Sequence, residues 1–187
     1  SSAILQLCFS TKAQEIYDQQ IEEILARMTL DEKIGQLVQI VGVDEYREEL
    51  IRQGKTGSIL FGNDGPEEVN KIQRIAVEES RLGIPLIFAT DVIHGCQTIF
   101  PIPLAEASSW NPELVKIASD IAAFEAASMG IRWTFAPMVD IARDPRWGRI
   151  VEGFGEDPYL GSIFAAAKVK GFLDEEELDF RAVRYLP

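Results

Sequence analysis

Short apolar runs that end in polar residues, each followed by a stretch of helical period, set the strongest limit on how this chain folds. "GSILFG" is bounded by glycines and runs into Asn63-Asp64, "IPLIFATD" ends on Asp91, and "IRWTFAPMVDI" passes through Asp140. Between and after them lie "EYREELIRQ" closed by Gly54, "GPEEVNKIQRIAVEESRLG" with Pro66 in its first turn and Gly83 after its end, "NPELVKIASDIAAFEAASMG" and "EDPYLGSIFAAAKVKGF". Continuous apolar strands need cover on both faces, and helices between successive strands supply it, so the pattern predicts a parallel α/β sheet. Upstream, Ile16, Gln20, Ile24 and Met28, with Ile21 and Leu25 beside them, share one helical face. Thr29 and Glu32 of "TLDE" have capping-box spacing, which starts a helix through about Gly35 and into the apolar stretch Leu37 to Val43.

Two parallel architectures compete, a doubly wound sheet and a (β/α) barrel. A glycine-rich phosphate loop after a strand would favour the first, and neither G-x-G-x-x-G nor a Walker A pattern occurs. Polar residues gather instead at the ends of the apolar runs: Asn63, Asp64, Asp91, His94 and Asp140. A barrel places its chemistry at that face, so the expected fold is a partial (β/α)8 TIM-like barrel of roughly four βα units, about the first half.

Composition narrows the partners. Lys and Arg total 18 against 30 for Asp and Glu, a net charge of −12, which repels phosphate backbones and anionic headgroups. Nucleic acid and membrane surfaces are therefore not expected partners. Cys8 and Cys96 are too few for a disulfide framework, and with a single histidine no zinc spacing is present, so neither metal nor cofactor is expected. Residues 1–13 read differently from the rest. A short apolar run, Ala3 to Phe9, leads to Thr11-Lys12-Ala13, small residues placed as before a cleavage at Gln14. The expectation is a signal-peptide remnant and an exported chain, periplasmic or extracellular; a frayed or buried N-terminal helix is the other reading.

The segment Val139 to Pro158 concentrates unusual residues: Arg143, Arg146, Arg149, Trp147, and the Asp-Pro steps at Asp144 and Asp157. Arg146 and Arg143 are expected to pair with Asp144, Glu152, Glu156 or Asp157, and Gly148 and Gly153 to let the backbone turn tightly. Asp91 closes an apolar strand, where a carboxylate can accept hydrogen bonds from two adjacent hydroxyls, or simply cap a loop. His94 could act as a base or stand as a hydrogen-bonded structural residue. Cys96 reads as a small buried residue, since nothing nearby in sequence supplies a base.

Four motifs in order, "LARMTLDEKIGQLVQI", "GIPLIFATDVIHG", "TIFPIPLAEASSWNPELV" and "FAPMVDIARDPRWGRIVEGFGEDPYLG", resemble the N-terminal domain of glycoside hydrolase family 3, on its β-glucosidase/β-xylosidase branch. The N-acetylglucosaminidase branch typically has an "EGG" run where this chain has "DVIHG". The resemblance extends from about Glu15 to Phe172, so 14–172 is expected to form the first half of that family's barrel domain, with 173–187 an atypical tail. It implies a (β/α)8 or collapsed barrel, usually followed by a second α/β domain, acting on β-linked glucosides or oligosaccharides. It also implies that Asp91 holds the innermost sugar and that Arg149, the second Arg of "RWGR", contacts it. Arg146, Trp147, Glu152 and His94 would support that rim. Trp147 either stacks on a sugar face or packs under its own loop.

A retaining glycosidase needs two carboxyl groups about 5–5.5 Å apart. The family carries its nucleophile in a Ser-Asp-Trp-like segment and a Lys-His pair shortly after the helix that ends near Phe172. Neither matches this chain: its one histidine is His94, and Ser119-Asp120 is followed by Ile121 inside a helical stretch. The expected function is a fragment of an exported hydrolase that cleaves terminal β-D-glucosyl or β-xylosyl residues, with the nucleophile and acid/base elsewhere and no activity alone. The alternatives are a noncatalytic carbohydrate-binding module and a subunit completed by another chain. Half a barrel exposes a sheet edge and an apolar face, so self-association or a complementing C-terminal chain is expected.

Overall fold

The computed structural model describes residues 17–60 and 65–173. The signal-like residues 1–13, the Asn63-Asp64 pair and the tail beyond 173 lie outside them. The described elements are helices α1 (17–27), α2 (Leu30–Gly35), α3 (Glu45–Arg52), α4 (Pro66–Arg74), α5 (Pro103–Ser108), α6 (Pro112–Ser128) and α7 (Pro158–Leu173), and strands β1 (Gln39–Val41), β2 (Ser58–Leu60), β3 (Ile87–Thr90) and β4 (Trp133–Thr134). The four strands form one sheet in the order β1-β2-β3-β4. Strands β1 and β2 pair in parallel, as do β3 and β4. Strand order that follows chain order is the winding of a (β/α) barrel; a doubly wound sheet reverses direction at a switch point.

The contacts divide the described residues into two compact units, 17–60 with Asn70–Ile87, and 65–69 with 88–173. In the first, local chemistry sets each boundary. Thr29 caps α2: its hydroxyl accepts from the Glu32 amide at 3.2 Å, while Glu32 Oε2 accepts from the Thr29 amide at 2.8 Å, the reciprocal pair expected from the sequence. Asp44 caps α3, and Gly54 follows its end with φ +68°, a backbone state that glycine adopts without strain. Strand β1 pairs with β2 in the register Gln39↔Ser58. Ile51, Ile59, Ile72 and Ala76 form the buried interior.

The stretch after Pro66 departs from the expected single helix reaching Gly83. It passes from α4 into a π-helical turn at Ile75–Glu79 and stops at Ser80. The Ser80 hydroxyl donates to the Ala76 carbonyl and accepts from the Gly83 amide at 3.2 Å, which replaces helical bonding by a local turn.

The second unit is built on β3 and β4, in register Ala89↔Trp133 and Thr90↔Thr134. The long strand expected over 131–141 is only two residues. Pro137 has no amide to donate, and the Ala136 amide turns to the Thr134 hydroxyl at 3.2 Å, so the ladder ends there. Helix α5 was not anticipated; Pro103 starts it with a φ already suited to a helix. Helices α6 and α7 pack closely because Gly171 has no side chain: a Cβ there would meet the Lys116 carbonyl at 2.3 Å and Ser119 Cβ at 2.7 Å. Phe88 and Phe164 are wholly buried, each contributing about 1.5–3 kcal/mol.

Candidate functional site

Asp91 stands one residue beyond β3, exposed, and its carboxylate accepts no hydrogen bond from a described residue. The loop after it is held firmly. The His94 ring nitrogen Nδ1 lies 2.9 Å from the Phe100 carbonyl, and the Phe100 amide donates back to the His94 carbonyl at 2.8 Å. A carbonyl can only accept, so Nδ1 carries the proton in this bond. That is the structural role weighed for His94. Glu125 on α6 accepts from the amides of Gln97 and Thr98, each at 2.8 Å, and from the Thr98 hydroxyl at 2.6 Å. Those donors, Thr98 first, lower its pKa. Cys96 is buried with its Sγ 3.8 Å from Met129 Sδ, and burial pushes its thiol pKa up, so it is an inert packing residue.

Beyond β4 the Arg-rich loop is a set of short-range pairs. Asp144 Oδ1 accepts from the Arg146 amide and from Arg146 Nε, both at 2.9 Å. That arginine holds the Asp144 pKa below its ordinary value. Arg149 donates through Nε to both oxygens of Glu152 at 3.1 Å and through Nη2 to Oε2 at 2.7 Å, across the 3₁₀ turn Ile150–Glu152. Of the partners expected for Arg146 and Arg143, Asp144 pairs with Arg146, while Glu152 serves Arg149. Arg143 makes no ion pair among the described residues. Trp147 is half-buried, its amide donating to the Asp144 carbonyl at 3.1 Å. Neither Gly148 nor Gly153 has a positive φ; in this loop Gly155 does, at +97°.

The Arg149 guanidinium is held in its charged form mainly by its own loop. Its pKa is raised first by the Glu152 hydrogen bonds, and beyond Glu152 by the negative charges of Asp91 and Asp140. Asp91 after β3, and Asp140 and Glu152 beyond β4, are the acidic groups that favour its charged form. Carboxylate acceptors and a planar fork of donors are the groups that suit a ligand rich in hydroxyls, each of which both donates and accepts.

Sequence reasoning missed the group beneath these loops. Lys168 of α7 is buried, with Nζ 2.8 Å from Glu106 Oε2 and 2.6 Å from the Ile93 carbonyl. A signal was present: Lys168 lies four residues after Phe164 and three before Gly171, a lone cation on the buried face of an apolar helix.

Fold and rim define a parallel α/β domain of the barrel class, with its charged groups after the strands. Residues 29–180 match the glycosyl hydrolase family 3 N terminal domain. The chain belongs to that family. It is 46% identical over 169 residues to a periplasmic beta-glucosidase of Salmonella typhimurium, covering 88% of this chain and 22% of that protein. A lysosomal beta glucosidase of Dictyostelium discoideum is 31% identical over 183 residues, 81% of this chain and 22% of the relative. The chain thus spans about a fifth of the length of these relatives. Among solved structures, a beta-glucosidase from Listeria innocua in complex with isofagomine superposes with a TM-score of 0.75 at 39% identity, over 84% of this chain and 23% of that one. A mutant of the same enzyme was solved with laminaribiose, at a TM-score of 0.74.

Proposed function

We propose that this chain forms the sugar-gripping N-terminal part of an exported β-glucosidase-type hydrolase, cleaving terminal β-D-glucosyl or β-xylosyl residues with retention. Asp91 accepts from a pair of sugar hydroxyls, and Arg149 leaves one donor fork on Glu152 while offering another to the ring. The observation that carries this reading is the match of residues 29–180 to the family's N-terminal domain, with Asp91 directly after β3 and Arg149 in the loop beyond β4. The nucleophile and acid/base lie outside residues 1–187, so the chain alone turns over no substrate. Residues 1–13 are an export remnant, in line with a relative that is named periplasmic; no described helix is long and apolar enough to cross a membrane.

Completion by a partner chain, or self-association, is the accompanying proposal. Val41 at 63% exposure and Ile87 at 49% in the first unit, and Trp133 at 45% in the second, support it. Apolar strand surface left in water favours association.

Titration calorimetry of the purified chain with glucose tests the grip. Asp91→Ala is expected to weaken binding about tenfold to a hundredfold, the worth of a hydrogen bond to a charged group. An unchanged affinity removes Asp91 from the rim. Hydrolysis of an aryl β-glucoside by the chain alone would overturn the placement of the nucleophile.

A further inference from the structure

The buried Glu106–Lys168 pair lies outside the rim, and its reach is unusual. Lys168 Nζ donates to Glu106 Oε2 of α5 and to the Ile93 carbonyl. The same ammonium stands 5.8 Å from the centroid of the Phe154 ring. Ile93 is two residues after Asp91, and Phe154 is two residues after Glu152, the partner of Arg149. One buried charge thus touches both segments that carry the rim.

Stability is a poor reason to keep such a group. The side chains of Lys168 and Glu106 are 3% and 6% exposed, and taking both charges out of water offsets most of their attraction. Apolar side chains of similar volume generally serve a core as well or better. Position is what an apolar pair cannot supply. An ammonium has three donors, and here one is spent on a backbone carbonyl that a methyl or thioether cannot hold. The aromatic face of Phe154 adds an attraction to the same cation, and Phe154 is itself set against Phe164 at 5.6 Å.

We propose that Lys168, on its Glu106 counter-charge, is a positioning residue that ties the Asp91 loop to the Arg149 loop and sets the spacing of the sugar grip. The proposal rests on the rim reading above. Lys168 touches no sugar; it acts through Ile93 and Phe154.

The test uses the full chain with both charges replaced, Glu106→Leu with Lys168→Met, so that no orphaned charge remains. The expected result is an unfolding midpoint close to the parent's and a glucose Kd raised about tenfold, the scale of ordinary coupling between linked groups. Amide hydrogen exchange is expected to quicken in both 92–96 and 150–154 and to stay unchanged in α6. Quickened exchange in neither or only one of those segments overturns the tether, and so does an unchanged Kd at a held midpoint. If the double variant does not fold, Glu106→Gln is read by the same exchange measurement, with the same two segments deciding. Asp91→Ala in the parent separates the two ideas. Loss of binding there with no effect of the double variant defeats the tether alone; unchanged binding there, or no binding by the parent, defeats the rim reading while exchange still decides the tether.

Discussion

Two ion pairs of the second unit look alike in distance and differ in everything else. Glu106–Lys168 spans 2.8 Å with side chains 6% and 3% exposed, while Arg149–Glu152 spans 2.7 Å with side chains 60% and 23% exposed. The first joins α5 to α7; the second closes a turn three residues long. Water competes for the second pair at every moment, so Arg149 can trade a carboxylate for a ligand hydroxyl at little loss. The first pair has no such freedom. Separating its members leaves a charge with no solvent to receive it. Distance alone therefore does not tell a grip from a strut; burial does.

The largest effect expected from breaking this comparison is at Lys168. Lys168→Met alone leaves the Glu106 carboxylate buried without its cation, and the chain is expected to lose about 3–5 kcal/mol in urea denaturation. A smaller loss would mean that Glu106 reaches water once its partner is gone. Next comes the packing that encloses the pair. Gly171→Ala puts a methyl 2.3 Å from the Lys116 carbonyl, on the backbone rather than on a side chain that can swing away. Prying α6 from α7 is expected to cost about 1–3 kcal/mol, read in the same titration.

Much of this was legible in the sequence where the cause is local. The Thr29–Glu32 box, the Gly54 stop and the alternation of apolar runs with helices depend on neighbours a few residues apart, and the structure follows them. The end of β4 was missed although a cause stood in the sequence: the strand was expected through Ile141, and Pro137 cannot join a ladder. The Glu106–Lys168 pair was not legible, because its members are 62 residues apart and only the fold brings them together. Its trace was a single lysine at an apolar helical position. The proposed pairing of Asp91 with Arg149 came from resemblance to a family and not from spacing. The structure gives Glu152 to Arg149 by an i, i+3 contact.

An intermediate case in the first unit sharpens the contrast. Glu32 is nearly enclosed, at 10% exposure, while its partner Arg81 stands at 54%. The Arg81 guanidinium first, then the Thr29 amide, hold the Glu32 carboxyl down from 4.5 to about 2. A value depressed by folding means that the unfolded chain takes up the proton more readily. The contribution is fully present above the unfolded value and is lost as pH falls through that range toward 2. Denaturation midpoints are expected to drop over this interval. Arg81→Gln should shrink the drop most, since it removes the leading cause. An unaltered acid slope in that variant would assign the drop to other carboxylates.

The smallest effect is expected where the chemistry is proposed. Arg149→Ala removes three hydrogen bonds to Glu152, yet those lie at the surface, and the freed carboxylate is simply hydrated. The unfolding midpoint is expected to move by less than about 3 °C in a thermal scan. Glucose affinity in the same sample should fall steeply, because the fork that met the hydroxyls is gone. Such a split between stability and binding is the signature of a residue kept for its ligand. A large drop in midpoint would place Arg149 with Lys168 as a strut, and the grip would then have to be sought among the other polar groups of the rim.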